Sequence, residues 1–313
     1  MKIFRGLDNI QKIQNAVVTQ GTFDGVHLAH KIILSKVRQL AIEQNGESVL
    51  MTFEPHPRMV LKPDNHDLKL LTTLDEKIEL LKNEGIQNLI VIPFTIELSQ
   101  LHSQEFIKQI IVDKIGTKTL VIGYDHRFGK NREGSFEHLK NFSEDYGFEL
   151  EEVSEQVVDE IAISSTKIRN ALNAGKITTA SKYLGRNYSI SGSVIKGRQL
   201  GRTIGYPTAN ILVNCEHKLI PLDGVYAVQV IFQNKTFGGM LNIGNNPTVE
   251  GKGRSIEVNI FDFSEDIYNQ SVSIVFVNKL RGEEKFNGLN ALQTQLEKDK
   301  LLAIEAIKNS LFN

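Results

Sequence analysis

Hydrophobic positions in the N-terminal half of the chain fall into short runs, AVVTQ, SVLMTF, NLIVIPF, TLVIG and FELEEV, each the length of a strand. Between them, apolar residues recur at helical spacing in HKIILSKVRQLAIEQ, TLDEKIELLKNEG, QEFIKQIIVDKIG and GSFEHLKNFSEDYG. This alternation, sustained to about residue 150, predicts a parallel sheet with helices on both faces. Two more helical patterns, STKIRNALNAG and ITTASKYLG, close the region. Ligands of such sheets bind beyond the carboxyl ends of the strands, where the chain turns into a helix.

From about residue 186 the pattern changes to strand-like runs: YSISGSVI, TANILV, GVYAVQVIF, KTFGGMLNIG, RSIEVNIF and SVSIVFV. Turn signals, Leu-Asp-Gly, Asn-Asn-Pro and Gly-Lys-Gly, separate them, and no helical run intervenes. An antiparallel sheet or small barrel follows, with the amphipathic FNGLNALQTQLEKDKLLAIEAIKN packing one face against it. The expected domains are residues 1–183, α/β, and residues 184–313, all-β with a terminal helix.

A length of 313 residues suits two domains, and 41% apolar with 23% charged residues suits a globular protein. The net charge of −1 gives no global field for nucleic acid or a membrane surface, so any anion must be held locally. No apolar run approaches the ~18 residues of a spanning helix, and the first residues lack a signal-peptide core. The expectation is a cytoplasmic protein, a monomer or weak homo-oligomer. Cys215 is the only cysteine, which excludes an intrachain disulfide and a cysteine-rich zinc site.

Candidate chemistry begins at GTFDGVHLAH, residues 21–30, between a strand and a helix. Gly21 and Gly25 lie in the turn, Asp24 between them, and His27 and His30 fall at or near the first helical turn. A helix start offers backbone N–H donors and a favourable dipole to an anion. The two histidines could join Asp24, but nothing adjacent completes a convincing ligand set with an open position, which argues against a metal. In ISSTKIR, Ser165, Thr166, Lys167 and Arg169 sit at another helix start. The glycine-bracketed GYDHRFGKNREG carries Asp125, Arg127, Phe128 and Arg132, and TFEPHPR carries Pro55 and Pro57 around His56. GTFDGVHLAH, ISSTKIR and GYDHRFGKNREG, each at a strand end or helix start, point to one shared site.

Taken together, GTFDGVHLAH, TFEPHPR, GYDHRFGKNREG and ISSTKIR resemble the nucleotidyltransferase half of the bacterial bifunctional riboflavin kinase/FAD synthetases. The resemblance implies a Rossmann-like domain that transfers AMP from ATP to FMN and releases pyrophosphate. It also implies that His27 and His30 contact the ATP phosphates and that Ser165, Thr166 and Arg169 hold the triphosphate. Gly21, Asp24 and Gly25 would belong to the ATP site, and Pro55, Pro57, Asp125, Arg127 and Phe128 to the flavin pocket. A phosphomonoester has its second pKa at about 6, so FMN arrives as an ionised nucleophile and needs no general base. The transfer requires positioning and charge cancellation, which imidazole, hydroxyl and guanidinium donors supply.

Downstream, GRQLGRTIGYPTAN, PLDGVYAV, GMLNIGNNPTV, IEVNIFDF and KLRGEEKFNGL are similar to riboflavin kinases in order and approximate spacing. No Walker-type Gly-Lys-Ser/Thr is present in that glycine-rich stretch. The resemblance implies a small barrel that phosphorylates riboflavin. Gly197, Gly201 and Gly205 would line the ATP site, Thr208 and Asn210 would hold Mg²⁺ and ATP phosphates, and Glu257 would be the general base. An alcohol must lose its proton as the O–P bond forms, so a base belongs in this half. Two departures stand out: Ala29 replaces the family's glycine between the histidines, and His126 replaces an aromatic residue. They leave open a kinase with weakened adenylyl transfer, beside the further alternative of a non-catalytic flavin-binding regulator.

Overall fold

The computed structural model describes residues 1–63, 68–123, 127–130, 133–154, 163–197, 199–244 and 254–312. The chain divides into two compact units, Met1–Ser164 and Ser165–Asn313. Among the described residues, no helix is long and apolar enough to cross a membrane.

The first unit runs β1 (Lys2–Arg5), β2 (Ala16–Gln20), α1 (Leu28–Glu43), β3 (Ser48–Glu54), α2 (Pro57–Leu61), α3 (Leu74–Asn83) and β4 (Asn88–Pro93). It continues with α4 (Ile96–Ser99), α5 (Ser103–Phe106), π-helical turns over Ile107–Ile115, β5 (Thr117–Gly123), α6 (Phe136–Tyr146) and β6 (Glu149–Val153). Its six-stranded sheet has the order β1-β4-β3-β2-β5-β6. Every neighbouring pair is parallel. Alternate residues of the central strands serve opposite faces: Val18, Met51 and Ile90 meet the π-helical segment, while Leu50 and Leu89 meet Leu34 and Leu81. From β2 the chain goes first to β3 and β4, then crosses to β5 on β2's other side. The crevice at the carboxyl ends of β2 and β5 is therefore the topological switch point.

β1 has no counterpart among the apolar runs of the sequence. Its sequence, KIFR, is short and mostly exposed, so no apolar run marks it, and it joins the sheet at the edge beside β4.

The second unit contains α7 (Ser165–Asn173), α8 (Ile177–Leu184), β7 (Tyr188–Ile195), α9 (Leu200–Thr203), β8 (Ala209–Leu212), β9 (Gly224–Phe232), β10 (Lys235–Gly244), β11 (Ser255–Ile260), β12 (Ser271–Arg281) and α10 (Leu289–Lys308). The strands close into an antiparallel barrel in the order β10-β11-β8-β7-β12-β9. By the two-residue alternation, Tyr226, Leu241 and Val258 share one face, and Ala227, Met240 and Val277 pack with Ala303 of α10 on the other. Arg281 of β12 fixes that helix through Asp299, which is fully buried, with Nη2 to Oδ2 at 2.8 Å. Gln295 donates to the same carboxylate at 2.9 Å, so the buried charge is paired and hydrogen-bonded. Helices α7 and α8 precede the change in sequence texture, yet they cluster with this unit because α8 packs on β7 and β12.

Candidate active sites

In the first unit, residues 21–27 turn the chain from β2 into α1 at the carboxyl edge of the sheet. The Gly21 amide still donates to the Met51 carbonyl at 3.0 Å, so the loop leaves β2 while paired to β3. Phe23, Gly25 and Val26 then take φ values of 44°, 86° and 39°. For a β-branched residue such as Val26 this conformation is strained by about 1–3 kcal/mol, and the surroundings must hold it. The Phe23 and Val26 side chains are buried with Leu34, Ile78 and Leu81. Asp24 turns its carboxylate inward and accepts from the Leu71 and Thr72 amides, each at 3.0 Å. The Gly25 amide donates to Thr72 Oγ1 at 3.1 Å. Thr22 presents its carbonyl to Lys77 Nζ at 2.8 Å and to the Thr52 hydroxyl at 3.3 Å.

This pinned loop delivers His27 as the N-cap of α1, where its Nδ1 accepts from the His30 amide at 3.4 Å. An imidazole whose Nδ1 accepts carries its proton on Nε2 and so offers a donor there. The His27 and His30 rings stack with centroids 3.6 Å apart and planes 16° from parallel, and Phe23 lies 4.7 Å from His30. Ala29 is inside α1 and buried. At a helical position alanine carries no conformational cost.

β3 ends at Glu54, and the Glu54–Pro55 peptide is cis. Pro55 is exposed and Pro57 half-buried at the first position of α2, where His56 Nδ1 accepts from the Arg58 amide at 3.1 Å. Beyond β5, Arg127 is exposed, whereas Phe128 is buried in the core 6.1 Å from the Phe106 ring. Gly129 has φ of 71°, and a Cβ there would come within 2.8 Å of the Ser103 backbone. Because β3, β2 and β5 are adjacent and parallel, the loops carrying Gly21–His30, Pro55–Pro57 and Arg127 leave one edge of the sheet. Asp125, His126 and Arg132 lie outside the described residues.

In the second unit, Ser165, Thr166 and Lys167 open α7, with Ile168 and Leu172 buried and Arg169 half-buried. On the barrel, Asn210 of β8, Glu257 of β11 and Asn242 of β10 stand directly opposite one another across neighbouring strands. Their side chains therefore project from one face, the face that carries Met240 beneath α10. Thr208 Oγ1 donates to Glu257 Oε2 at 3.3 Å, and Asn259 Nδ2 holds the Pro207 carbonyl at 2.7 Å. The loop between β7 and β8 needs its glycines. A Cβ on Gly197 would lie 2.1 Å from Asn210 Nδ2, one on Gly201 would lie 2.1 Å from the Tyr206 carbonyl oxygen, and Gly205 has φ of 82°.

Thr208, Asn210 and Glu257 thus bring a hydroxyl, an amide and a carboxylate to one side of the barrel. Such hard donors fit Mg²⁺, which keeps several waters and takes its remaining ligands from phosphate. Among the described residues there is no group of three or more His, Cys, Asp or Glu that could hold a metal ion.

Two site residues escaped the sequence reading. Asn242 joins the barrel row only through strand register. Lys77 sits on the stripe Leu74, Lys77, Ile78 and Leu81, and a lysine at an apolar position of a helical stripe was the available signal.

Comparison with known proteins matches residues 9–167 to the FAD synthetase family and residues 184–307 to the riboflavin kinase family. Among curated proteins, the chain is 40% identical to the bifunctional riboflavin kinase/FMN adenylyltransferase of Buchnera aphidicola, over 98% of each chain. It is 35% identical to the protein of that description from Escherichia coli K12, over 97% of each. A solved structure from Streptococcus pneumoniae, described as a macrolide-efflux protein, superposes with a TM-score of 0.87 at 32% identity, covering 97% of this chain and 99% of that one.

Proposed function

This chain belongs to the family of bifunctional riboflavin kinases/FMN adenylyltransferases, and on that premise we propose which of its residues carry each reaction. It phosphorylates riboflavin with ATP to give FMN, and it adenylylates FMN with ATP to give FAD and pyrophosphate.

For the phosphorylation we assign Glu257 as the base. The observation that carries this is the barrel-face cluster, with Thr208 Oγ1 3.3 Å from the Glu257 carboxylate and Asn210 directly across the strand pair. Glu257 takes the proton of the ribityl hydroxyl as its oxygen attacks the γ-phosphorus of ATP, and ADP leaves. Thr208 and Asn210 hold the phosphates and would hold Mg²⁺, which when bound neutralises charge on the transferred group. Gly197, Gly201 and Gly205 let the loop lie close over Asn210 and Thr208.

For the adenylylation we assign the loop at the switch point. His27 and His30 donate to the phosphates of ATP, and the N-terminus of α1 adds its dipole. Ser165, Thr166 and Arg169 are proposed to hold the triphosphate, with Pro55, Pro57 and Arg127 on the flavin side. The FMN phosphate is already ionised, so this site needs donors and no base. We further take the enzyme to work in the cytoplasm as a monomer or weak homo-oligomer, with residues 1–183 and 184–313 as the two functional domains.

The test assays riboflavin to FMN and FMN to FAD separately in two single variants. Glu257→Gln should lose the first reaction and keep the second, and His27→Ala should do the reverse. A Glu257→Gln protein that is folded and still forms FMN at the wild-type rate refutes the base assignment.

A further inference from the structure

Lys77 lies on the buried face of α3 and is only 5% exposed. Burial holds its ammonium below the ordinary lysine range, against the attraction of the Asp24 and Glu54 carboxylates. Neutral side chains at positions 24 and 77 would spare the fold two desolvated charges, so the fold gains little from this cation and its Asp24 partner.

The loop at the switch point supplies the reason that the fold does not. Lys77 Nζ donates to the Thr22 carbonyl at 2.8 Å. Because the peptide unit is planar, anchoring that carbonyl on α3 turns the Phe23 N–H the opposite way. The same loop buries Asp24, 2% exposed, directly beneath backbone assigned to a polyphosphate. An uncompensated negative charge in that low-dielectric position would repel the ligand.

We propose that Lys77 is a positioning residue for ATP in the adenylylation site: its ammonium anchors the Thr22 carbonyl and cancels the charge of Asp24 beneath residues 21–27. The proposal rests on the assignment of that loop to FMN adenylylation.

The experiment compares Lys77→Met, Lys77→Arg and the double variant Asp24→Asn/Lys77→Met. In FAD formation from FMN, Lys77→Met should raise the KM for ATP about tenfold or more, the scale of a lost charge-assisted contact, with a smaller change in kcat. Lys77→Arg should fall between it and wild type. The double variant removes both charges and should recover most of the lost ATP affinity. Thermal unfolding is followed in parallel, because a merely structural lysine predicts something else: affinity that tracks stability and a double variant no better than the single. An unchanged KM in Lys77→Met, or a double variant as weak as the single, overturns the proposal. Should Lys77→Met alone fail to fold, the double variant still decides by recovering near-wild-type ATP affinity or failing to do so. His27→Ala separates the underlying assignment: if it leaves FAD formation intact, the site assignment fails whatever Lys77 does.

Discussion

In the sheet unit the candidate site is built mainly from backbone, three left-handed residues in a turn held by the buried Asp24 and Lys77. In the barrel unit it is built from side chains, with Asn210, Glu257 and Asn242 in one cross-strand row and Thr208 laid against it. The difference follows the nucleophile. FMN brings its own negative charge, so on our assignment its site needs donors aimed at phosphate, and a helix start capped by two stacked histidines offers them. Riboflavin brings a neutral hydroxyl, so on our assignment its site needs a carboxylate within reach, and strand register fixes the position of Glu257 more tightly than a loop would.

The sharpest test of that contrast is Glu257→Gln. We expect FMN formation from riboflavin to fall by about 10²–10⁴-fold, the range for loss of a positioned base. FAD formation from supplied FMN should be unaffected, and a parallel loss of both activities in folded protein would break the division.

Next in size is His27→Ala, which should lower FAD formation by about 10²-fold, comparable to removing one donor from a charge-stabilising site. Losing the cap should also destabilise α1 by about 1 kcal/mol, measurable by thermal unfolding. An effect on stability without one on adenylylation would leave His27 as a cap only.

Gly197→Ala should act on the barrel alone. The added methyl would meet Asn210 Nδ2 at 2.1 Å, so we expect about a tenfold rise in the ATP KM of the kinase, a cost of overpacking near 1–3 kcal/mol. Unchanged kinase kinetics would show that the loop shifts freely off Asn210.

The smallest effect is expected at Ala29→Gly. Since Ala29 is helical and buried, the substitution should cost about 0.5–1 kcal/mol of stability and leave the kcat/KM for FAD formation within about twofold. A several-fold rise in kcat/KM would instead mean that the Ala29 methyl crowds the phosphates.

Much of this was legible in the chain itself. Apolar runs such as AVVTQ and NLIVIP are buried along nearly their whole length, as strands covered on both faces must be, and they were found as runs. The RSIEVNIF and GMLNIG segments were found by β-pattern and flanking turns. β1 was missed because an exposed edge strand carries no apolar signature. The π-helical winding of Ile107–Ile115 was read as ordinary helix, since QEFIKQIIVDKIG does not distinguish the two by its spacing. Within the candidate flavin set, Phe128 and Arg127 are sequence neighbours with opposite fates, one buried against Phe106 and the other exposed.

Sequence by itself determined the succession of elements, the glycines and histidines at the first strand end, and the motifs that tie the chain to its family, because these depend on local spacing and residue type. Only the tertiary structure decided that Asp24 faces inward, that Lys77 anchors Thr22, and that Asn242 stands opposite Glu257. Those relations join residues distant in sequence through parallel crossovers and barrel register, and no local pattern specifies which distant partner a buried polar group will meet.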